Sequence, residues 1–203
     1  MSEKSNRAPR GARLLLLSLL LFLFLAGLTA LILYLVYRPS TPRFSVIAAA
    51  IYDLSNASSS SSLPTALSTS MQFTLLIRNP SRRAAAFYDH LSAYVAYRGQ
   101  PVTPPEPLPP VFQDPESTVA VSPVLGGGSV PVSPDAAAGL AADEAYGIVG
   151  LRLLVVGRVR YKAGPFRGRW NGIYVRCDVL VGFKKVLAGP VPLLGEPDCD
   201  VDI

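Results

Sequence analysis

Histidine, cysteine and tryptophan are nearly absent from this chain, whose 203 residues hold one His, two Cys and one Trp. Any Ser-His-Asp or Cys-His catalytic set would have to use His90. Its surroundings, Tyr88-Asp89-His90-Leu91, contain no nucleophile motif and read as a surface or edge-strand histidine. Cys177 and Cys199 with one histidine cannot supply four zinc ligands. Asp198, Asp200 and Asp202 alternate along a strand, whereas a calcium loop needs a turn glycine and a closing bidentate Glu. Gly126-Gly127-Gly128 is followed by no lysine with serine or threonine and opens no helix directly, so it reads as a turn and not as a phosphate cradle. Neither an enzyme nor a cofactor is expected.

Charge is also scarce, at 16% of residues, and the net +5 is divided. Residues 1–36 set Lys4, Arg7, Arg10 and Arg13 against Glu3, which leaves only about +2 for residues 37–203. A surface that tracks nucleic-acid phosphates needs more than that unless the charges cluster, so no nucleic-acid partner is expected.

What the chain does have is one apolar block. Leu14–Val36 is 23 residues without a charge. At about 1.5 Å per residue it spans roughly 34 Å, enough for a hydrocarbon core of about 30 Å. A cleaved signal peptide has a shorter apolar region followed by small residues. Here the run continues through Leu35, Val36 and Tyr37 into Arg38, which favours a retained signal-anchor. Four basic residues precede the block and only Arg38 and Arg43 closely follow it, so the N-terminus is expected in the cytosol. The expected organisation is a cytosolic basic tail (1–13), a single transmembrane helix (14–36), a proline-containing tether (37–43) and an extracellular or lumenal domain (44–203). On that side Asn56-Ala57-Ser58 would be a glycosylation acceptor.

From Phe44 the pattern changes to period two. A first strand runs to about Tyr52, with Phe44, Val46, Ala48 and Ala50 on one side. Met71–Arg78 aligns Met71, Phe73, Leu75 and Ile77 and stops at Asn79-Pro80. Phe87–Tyr97 aligns Leu91, Ala93, Val95 and Tyr97. Pro101–Pro115 holds seven prolines and reads as an extended loop. Thr118–Val124 is a further strand, and Ser133-Pro134-Asp135 starts one short helix. Two long strands, Gly150–Lys162 and Arg169–Phe183, form a central hairpin, and a last strand covers Asp198–Ile203. Many short strands with one short helix predict a mainly β protein, a sandwich of immunoglobulin or fibronectin type III appearance. The Cys-Trp-Cys spacing of antibody domains is absent.

Arg158, Arg160 and Lys162 alternate with Val159 and Tyr161, which places three cations on one strand face. Arg167, Arg169 and Arg176 follow, with no acidic residue between Glu144 and Asp178. The stripe reads either as a binding face for an acidic polysaccharide, anionic headgroups or an acidic partner, or as solvated cations neutralised across the sheet by the terminal aspartates. Cys177 and Cys199 lie on separate strands and either form a disulfide or stay as two buried thiols.

Taken in order, Tyr37-Arg38-Pro39, Pro42-Arg43-Phe44, Arg78-Asn79-Pro80, Phe87-Tyr88-Asp89, Tyr97-Arg98-Gly99, Gly157-Arg158-Val159-Arg160-Tyr161-Lys162 and the two cysteines resemble the plant late embryogenesis abundant group two proteins. The similarity is to the membrane-anchored subgroup akin to the harpin-induced and non-race-specific disease resistance proteins, and it covers nearly the whole chain. That family's frequent Asn-Pro-Asn tripeptide stands here as Asn79-Pro80-Ser81, which keeps the turn. The resemblance implies a plasma-membrane protein with a sandwich domain outside the cell, a link to defence or abiotic stress, and no catalytic residues. The expected function is a membrane-tethered, non-catalytic interaction module that meets cell-wall or membrane protein partners. The alternative is a sandwich that opens to hold a lipid or another small apolar ligand.

Overall fold

The structure, a computed structural model, describes residues 10–37, 40–56, 66–182, 189–195 and 197–203. The chain forms two compact units, Met1–Arg38 and Pro39–Ile203. In the first, helix α1 (Arg10–Tyr37) is 28 residues long. Its 23-residue stretch Arg13–Leu35 is long and apolar enough to cross a membrane, and none of it is buried in protein. Such a helix has no polar face, so it has no side on which to lie against water. The hydroxyls of its Ser18 and Thr29 are satisfied within the helix: Ser18 Oγ donates to the Leu15 carbonyl (2.9 Å) and Thr29 Oγ1 to the Leu25 carbonyl (2.8 Å).

The second unit is two antiparallel sheets packed as a sandwich. In chain order its strands are β1 (Arg43–Asn56), β2 (Ala66–Arg78), β3 (Ala84–Tyr97), β4 (Gln100–Pro101), β5 (Glu106–Pro107), β6 (Val111–Gln113), β7 (Thr118–Val121) and β8 (Val124–Pro131). After helix α2 (Pro134–Tyr146) come β9 (Ile148–Ala163), β10 (Phe166–Arg167), β11 (Asn171–Gly182), β12 (Gly189–Val191) and β13 (Asp200–Asp202). One sheet has the order β12-β1-β2-β7 with β8 also on β2; the other runs β13-β11-β9-β3-β4, with β10 on β9 and β5 and β6 on β3. Phe73, Leu75 and Ile77 from the first sheet meet Val95, Leu153, Ile173 and Val175 from the second, all essentially buried. The expected sandwich, with its one short helix, is the architecture observed. Helix α2 starts as its sequence signals: Ser133 Oγ accepts from the Ala136 N–H, Pro134 follows the cap, and Gly147 ends the helix at φ 95°.

Four expectations are corrected. In β1 the register with β2 shifts between Val46 and Ala48. The extra residue exchanges the faces, so Ala49 and Ile51, not Ala48 and Ala50, join Phe44 and Val46 in the core. The proline-rich stretch is not a free loop. It runs along the edge of β3, pairing Pro101 with Ala96, Pro107 with Ser92 and Val111 with Tyr88, where prolines without an N–H help close the edge to further strands. Gly126-Gly127-Gly128 is not a turn but lies inside β8, beside a register shift of β2 between Ser68 and Ser70. Gly126 has φ 113°, and a Cβ there would stand 1.9 Å from the Thr69 carbonyl oxygen. The last strand proper is only Asp200–Asp202, because Asp198 leaves that sheet to bridge Ser45 of β1.

That crossing closes one seam of the sandwich. The Val46 N–H donates to the Pro197 carbonyl (3.3 Å) and the Cys199 N–H to the Phe44 carbonyl (3.0 Å), after which β13 pairs with β11. At the opposite seam, β7 faces the proline-rich edge across a solvent-open cleft of about 730 Å³, lined in part by Leu108, Val111, Phe112, Val119 and Val121.

Candidate functional site

Pleating sends alternate residues of a strand to opposite faces. On β9 this places Val155 and Val159 inside the sandwich and Arg158, Arg160 and Lys162 outside. Register then decides what the cations meet. Asp89 of β3 stands opposite Arg158, Phe87 opposite Arg160 and Ala85 opposite Lys162. Arg158 Nη2 donates to Asp89 Oδ2 at 2.6 Å. Trp170, in the connection before β11, lies over both arginines, with guanidinium carbons 4.7 Å (Arg158) and 4.4 Å (Arg160) from its ring centroid. Arg160 also stands 5.7 Å from the Phe87 ring, and Phe87 packs on Phe112 of β6 at 4.6 Å. Each such cation–ring contact contributes about 0.5–1 kcal/mol at a partly exposed site.

The Asp89 carboxyl is held below its ordinary range, first by the Arg158 hydrogen bond and then by those from His90, while partial burial acts the other way. His90 occupies a β-bulge at φ 53°, with its backbone N–H on Asp89 Oδ1 (3.0 Å) and its ring Nδ1 3.1 Å from the same oxygen. It is exposed, as its sequence setting suggests. On the inner side of the same strands, burial pushes the Tyr161 phenol up to about 12, and burial followed by the neighbouring Tyr161 raises Tyr88.

The stripe therefore separates into two kinds of cation. Arg158 is neutralised by Asp89, and of the cations in this run only Arg176 meets a terminal aspartate, Asp200, in the way one of the two sequence readings had it. Asp200 accepts from Arg176 Nη2 at 2.8 Å, and Asp178 from Arg152 Nε at 2.5 Å. Arg160, Lys162, Arg167 and Arg169 form no ion pair among the described residues, and the last three are exposed. What the sequence reading missed is the aromatic cover. Phe87 reaches Arg160, and Phe112 reaches Phe87, only through inter-strand register, and the one signal for Trp170 is its place directly after Arg167-Gly168-Arg169.

The other sequence-singled residues lie apart from this face. Cys177, buried on β11, is joined to Cys199 by a disulfide that ties the crossing C-terminal segment to the sheet. Asn79 is completely buried at the turn between β2 and β3. Its Nδ2 donates to the carbonyls of Ala84 (2.8 Å) and Asp114 (3.1 Å), and its Oδ1 accepts from the Ser81 N–H (3.1 Å). Asn79 thus fastens the Pro80 turn to the strand that follows and to the end of the proline-rich segment. Asn56 closes β1 opposite Leu67, while Ala57 and Ser58 of the glycosylation triplet lie outside the described residues. Among the described residues no cluster of His, Cys, Asp or Glu is arranged to hold a metal ion.

Comparison with known proteins shows the family to which the chain is similar. The family profile described as Late embryogenesis abundant protein matches residues 74–177, from the middle of β2 through the cationic stripe to Cys177. The chain is 34% identical over 175 residues to NDR1/HIN1-like protein 1 of Arabidopsis thaliana, covering 86% of this chain and 82% of that protein. NDR1/HIN1-like proteins 12 and 26 of the same plant are 30% and 31% identical over 169 residues, covering 83% and 82% of this chain and 78% of each relative.

Proposed function

Because this chain belongs to the late embryogenesis abundant family, in its group-two NDR1/HIN1-like branch, we propose that it is a membrane-tethered, non-catalytic interaction module at the plant cell surface, serving defence or abiotic-stress responses. The observation that carries this reading is the pairing of a 23-residue apolar span with a separate sandwich unit whose chemistry is concentrated on a cationic, aromatic-covered face. α1 anchors the chain in the plasma membrane with residues 1–13 in the cytosol, the segment up to residue 43 is the tether, and the sandwich faces outward. Lys162, Arg167 and Arg169 are the cations left for a wall or membrane partner.

Reporter tags at each end of the chain test the topology in intact cells. The C-terminal tag is expected to be digested by external protease and the N-terminal tag protected, with a glycosidase-sensitive mobility shift that Asn56→Gln removes. A C-terminal tag that resists protease until the cells are lysed would refute the outward orientation. Pull-down from plasma membranes with Lys162→Glu and Arg169→Glu tests the face, since reversal there leaves the Arg158–Asp89 pair intact. An unchanged set of partners would remove the cationic face from the reading. The ligand-cavity alternative gains nothing from the fold. Among the described residues, buried side chains of both sheets form one core cluster between the layers, and the cleft of about 730 Å³ lies at an open seam.

A further inference from the structure

The two sheets present unlike edges at the open seam. On the second sheet the edge is sealed: β5 and β6 cover β3, and Pro107, Pro109 and Pro110 have no N–H to offer a further strand. On the first sheet the edge is β7, which pairs with β2 alone among the described residues. Its four residues carry no charge and no proline, and its register with β2 has no bulge, so it lacks the devices that ordinarily blunt an exposed edge. Ladder parity identifies its spare backbone groups. The Asn79 N–H donates to the Ser117 carbonyl (2.9 Å) and the Phe73 N–H to the Pro123 carbonyl (3.3 Å). Odd-numbered residues of this segment therefore face β2, and Thr118 and Ala120 turn their N–H and C=O groups away from it.

The cleft beside this edge is bounded along its length. Two buried hydrogen bonds cross the seam, from Gln113 Nε2 to the Ile77 carbonyl (2.7 Å) and from Thr69 Oγ1 to the Val102 carbonyl (3.0 Å). Ile77 and Thr69 stand at the ends of a stretch of β2 roughly 27 Å long. Between them the seam opens into the cleft of about 730 Å³, with Ala120 in its lining. Its walls are apolar: Leu108 and Val111 are buried, Val119 and Val121 half-buried, and Phe112 is 51% exposed. One ionisable residue lines it, Glu106, which forms no ion pair among the described residues.

These features specify an occupant. Spare N–H and C=O groups at alternate positions of an edge accept an added strand, whose main chain supplies affinity and whose alternate side chains enter the adjoining groove. Such a strand must be extended, must keep its own N–H groups, and must be apolar on the side that meets Val119, Val121 and Leu108. The lone carboxylate calls for a cation. We infer that the β7 edge takes a segment of about five residues from another protein by strand addition. The segment has apolar side chains at alternate positions and one lysine or arginine that reaches Glu106. This adds a second surface to the interaction reading above and needs neither the cationic face nor the orientation of the anchor.

The full chain in phosphatidylcholine nanodiscs would be titrated into dye-labelled seven-residue peptides, with binding read by fluorescence anisotropy. The set places valine, leucine or phenylalanine at alternate positions, threonine between them, and one lysine at each position in turn. N-methylation of one alternate set of amides is expected to weaken the tightest member about tenfold, and of the other set hardly at all, since only one set faces β7. That arm uses the unaltered chain and so does not depend on how a variant folds. Ala120→Pro removes an outward N–H without removing a bond to β2, and should weaken binding to a like extent at an unchanged urea midpoint. Glu106→Gln should weaken the lysine peptide about threefold and leave its glutamine analogue unchanged. No member binding below about 1 mM, or equal losses from the two N-methylated sets, would overturn the inference. So would preference for a proline-rich peptide, which cannot pair with β7, or self-association that Ala120→Pro abolishes while no peptide binds, an outcome that assigns the edge to a second copy. An unchanged pull-down with Lys162→Glu and Arg169→Glu removes the cationic face and leaves this inference intact; peptides that fail do the reverse.

Discussion

Replacing Asn79 with alanine removes three hydrogen bonds without removing their partners. The Ala84 and Asp114 carbonyls each lose a donor, and the Ser81 N–H loses its acceptor. Two of the three bonds are buried and one is partly buried, and a buried group left unpaired costs about 1–3 kcal/mol. The sum expected for Asn79→Ala is about 3–5 kcal/mol, which in a domain of this size lowers the unfolding midpoint by roughly 8–15 °C. Urea unfolding of the full chain in detergent, followed by Trp170 fluorescence, reads it as a lower midpoint at unchanged m-value. Asn79→Asp sharpens the test. It preserves the oxygen that faces the Ser81 N–H but places a second oxygen against two carbonyls, so it should be at least as harmful. A loss under about 1 kcal/mol for Asn79→Ala, or tolerance of Asn79→Asp, would refute the donor role assigned to Nδ2.

Reduction of the Cys177–Cys199 disulfide should lower stability by about 3 kcal/mol for a loop of this length, read as the difference in urea midpoint with and without reductant; no difference would remove its stabilising role. Because the Asp89 pKa is depressed in the fold, its stabilisation is present above the ordinary carboxylate range and is lost as pH falls through the folded-state value. Asp89→Asn should therefore destabilise the protein at neutral pH and match it in strong acid, and a stability difference independent of pH would contradict the Arg158 pairing. Gly126→Ala should cost several kcal/mol, since its Cβ meets the Thr69 backbone, whereas Gly127→Ala has open space and loses only about 1–2 kcal/mol to its positive φ. Equal losses in thermal unfolding would show that the close approach of β8 to β2 is not what requires glycine at position 126.

Much of the fold was legible because period and punctuation are local. The alternation Met71, Phe73, Leu75 and Ile77 identified a core face without any knowledge of its partner. Ser133-Pro134 marked a helix start from capping chemistry alone. The errors fall where one residue changes the local rule. The bulge at Val46–Ala48 reverses the faces of β1, and no composition signal in Ile47 announces it. Triple glycine looks like a turn to any reading of propensity, yet here it lets two backbones approach within a strand pair. Proline likewise marks a loop locally, but its missing N–H is what suits it to seal the exposed edge of β3.

The candidate site divides in the same way. Pleating alone put Arg158, Arg160 and Lys162 on one face, since side-chain direction follows from position within a strand. Which of them remain available depended on residues far away in sequence: Asp89 reaches Arg158 across 69 positions, and Trp170 covers two arginines from a connecting segment. By itself the sequence determined the long apolar helix, the mainly β domain, the buried faces of β2 and β3 and the cationic stripe, because each depends on neighbours within a few residues. Only the tertiary structure decided the register that pairs or frees each cation, the crossing of the C-terminal segment between the sheets, and the placing of the open β7 edge beside the apolar cleft. Those are relations between distant segments, set by which strands lie side by side.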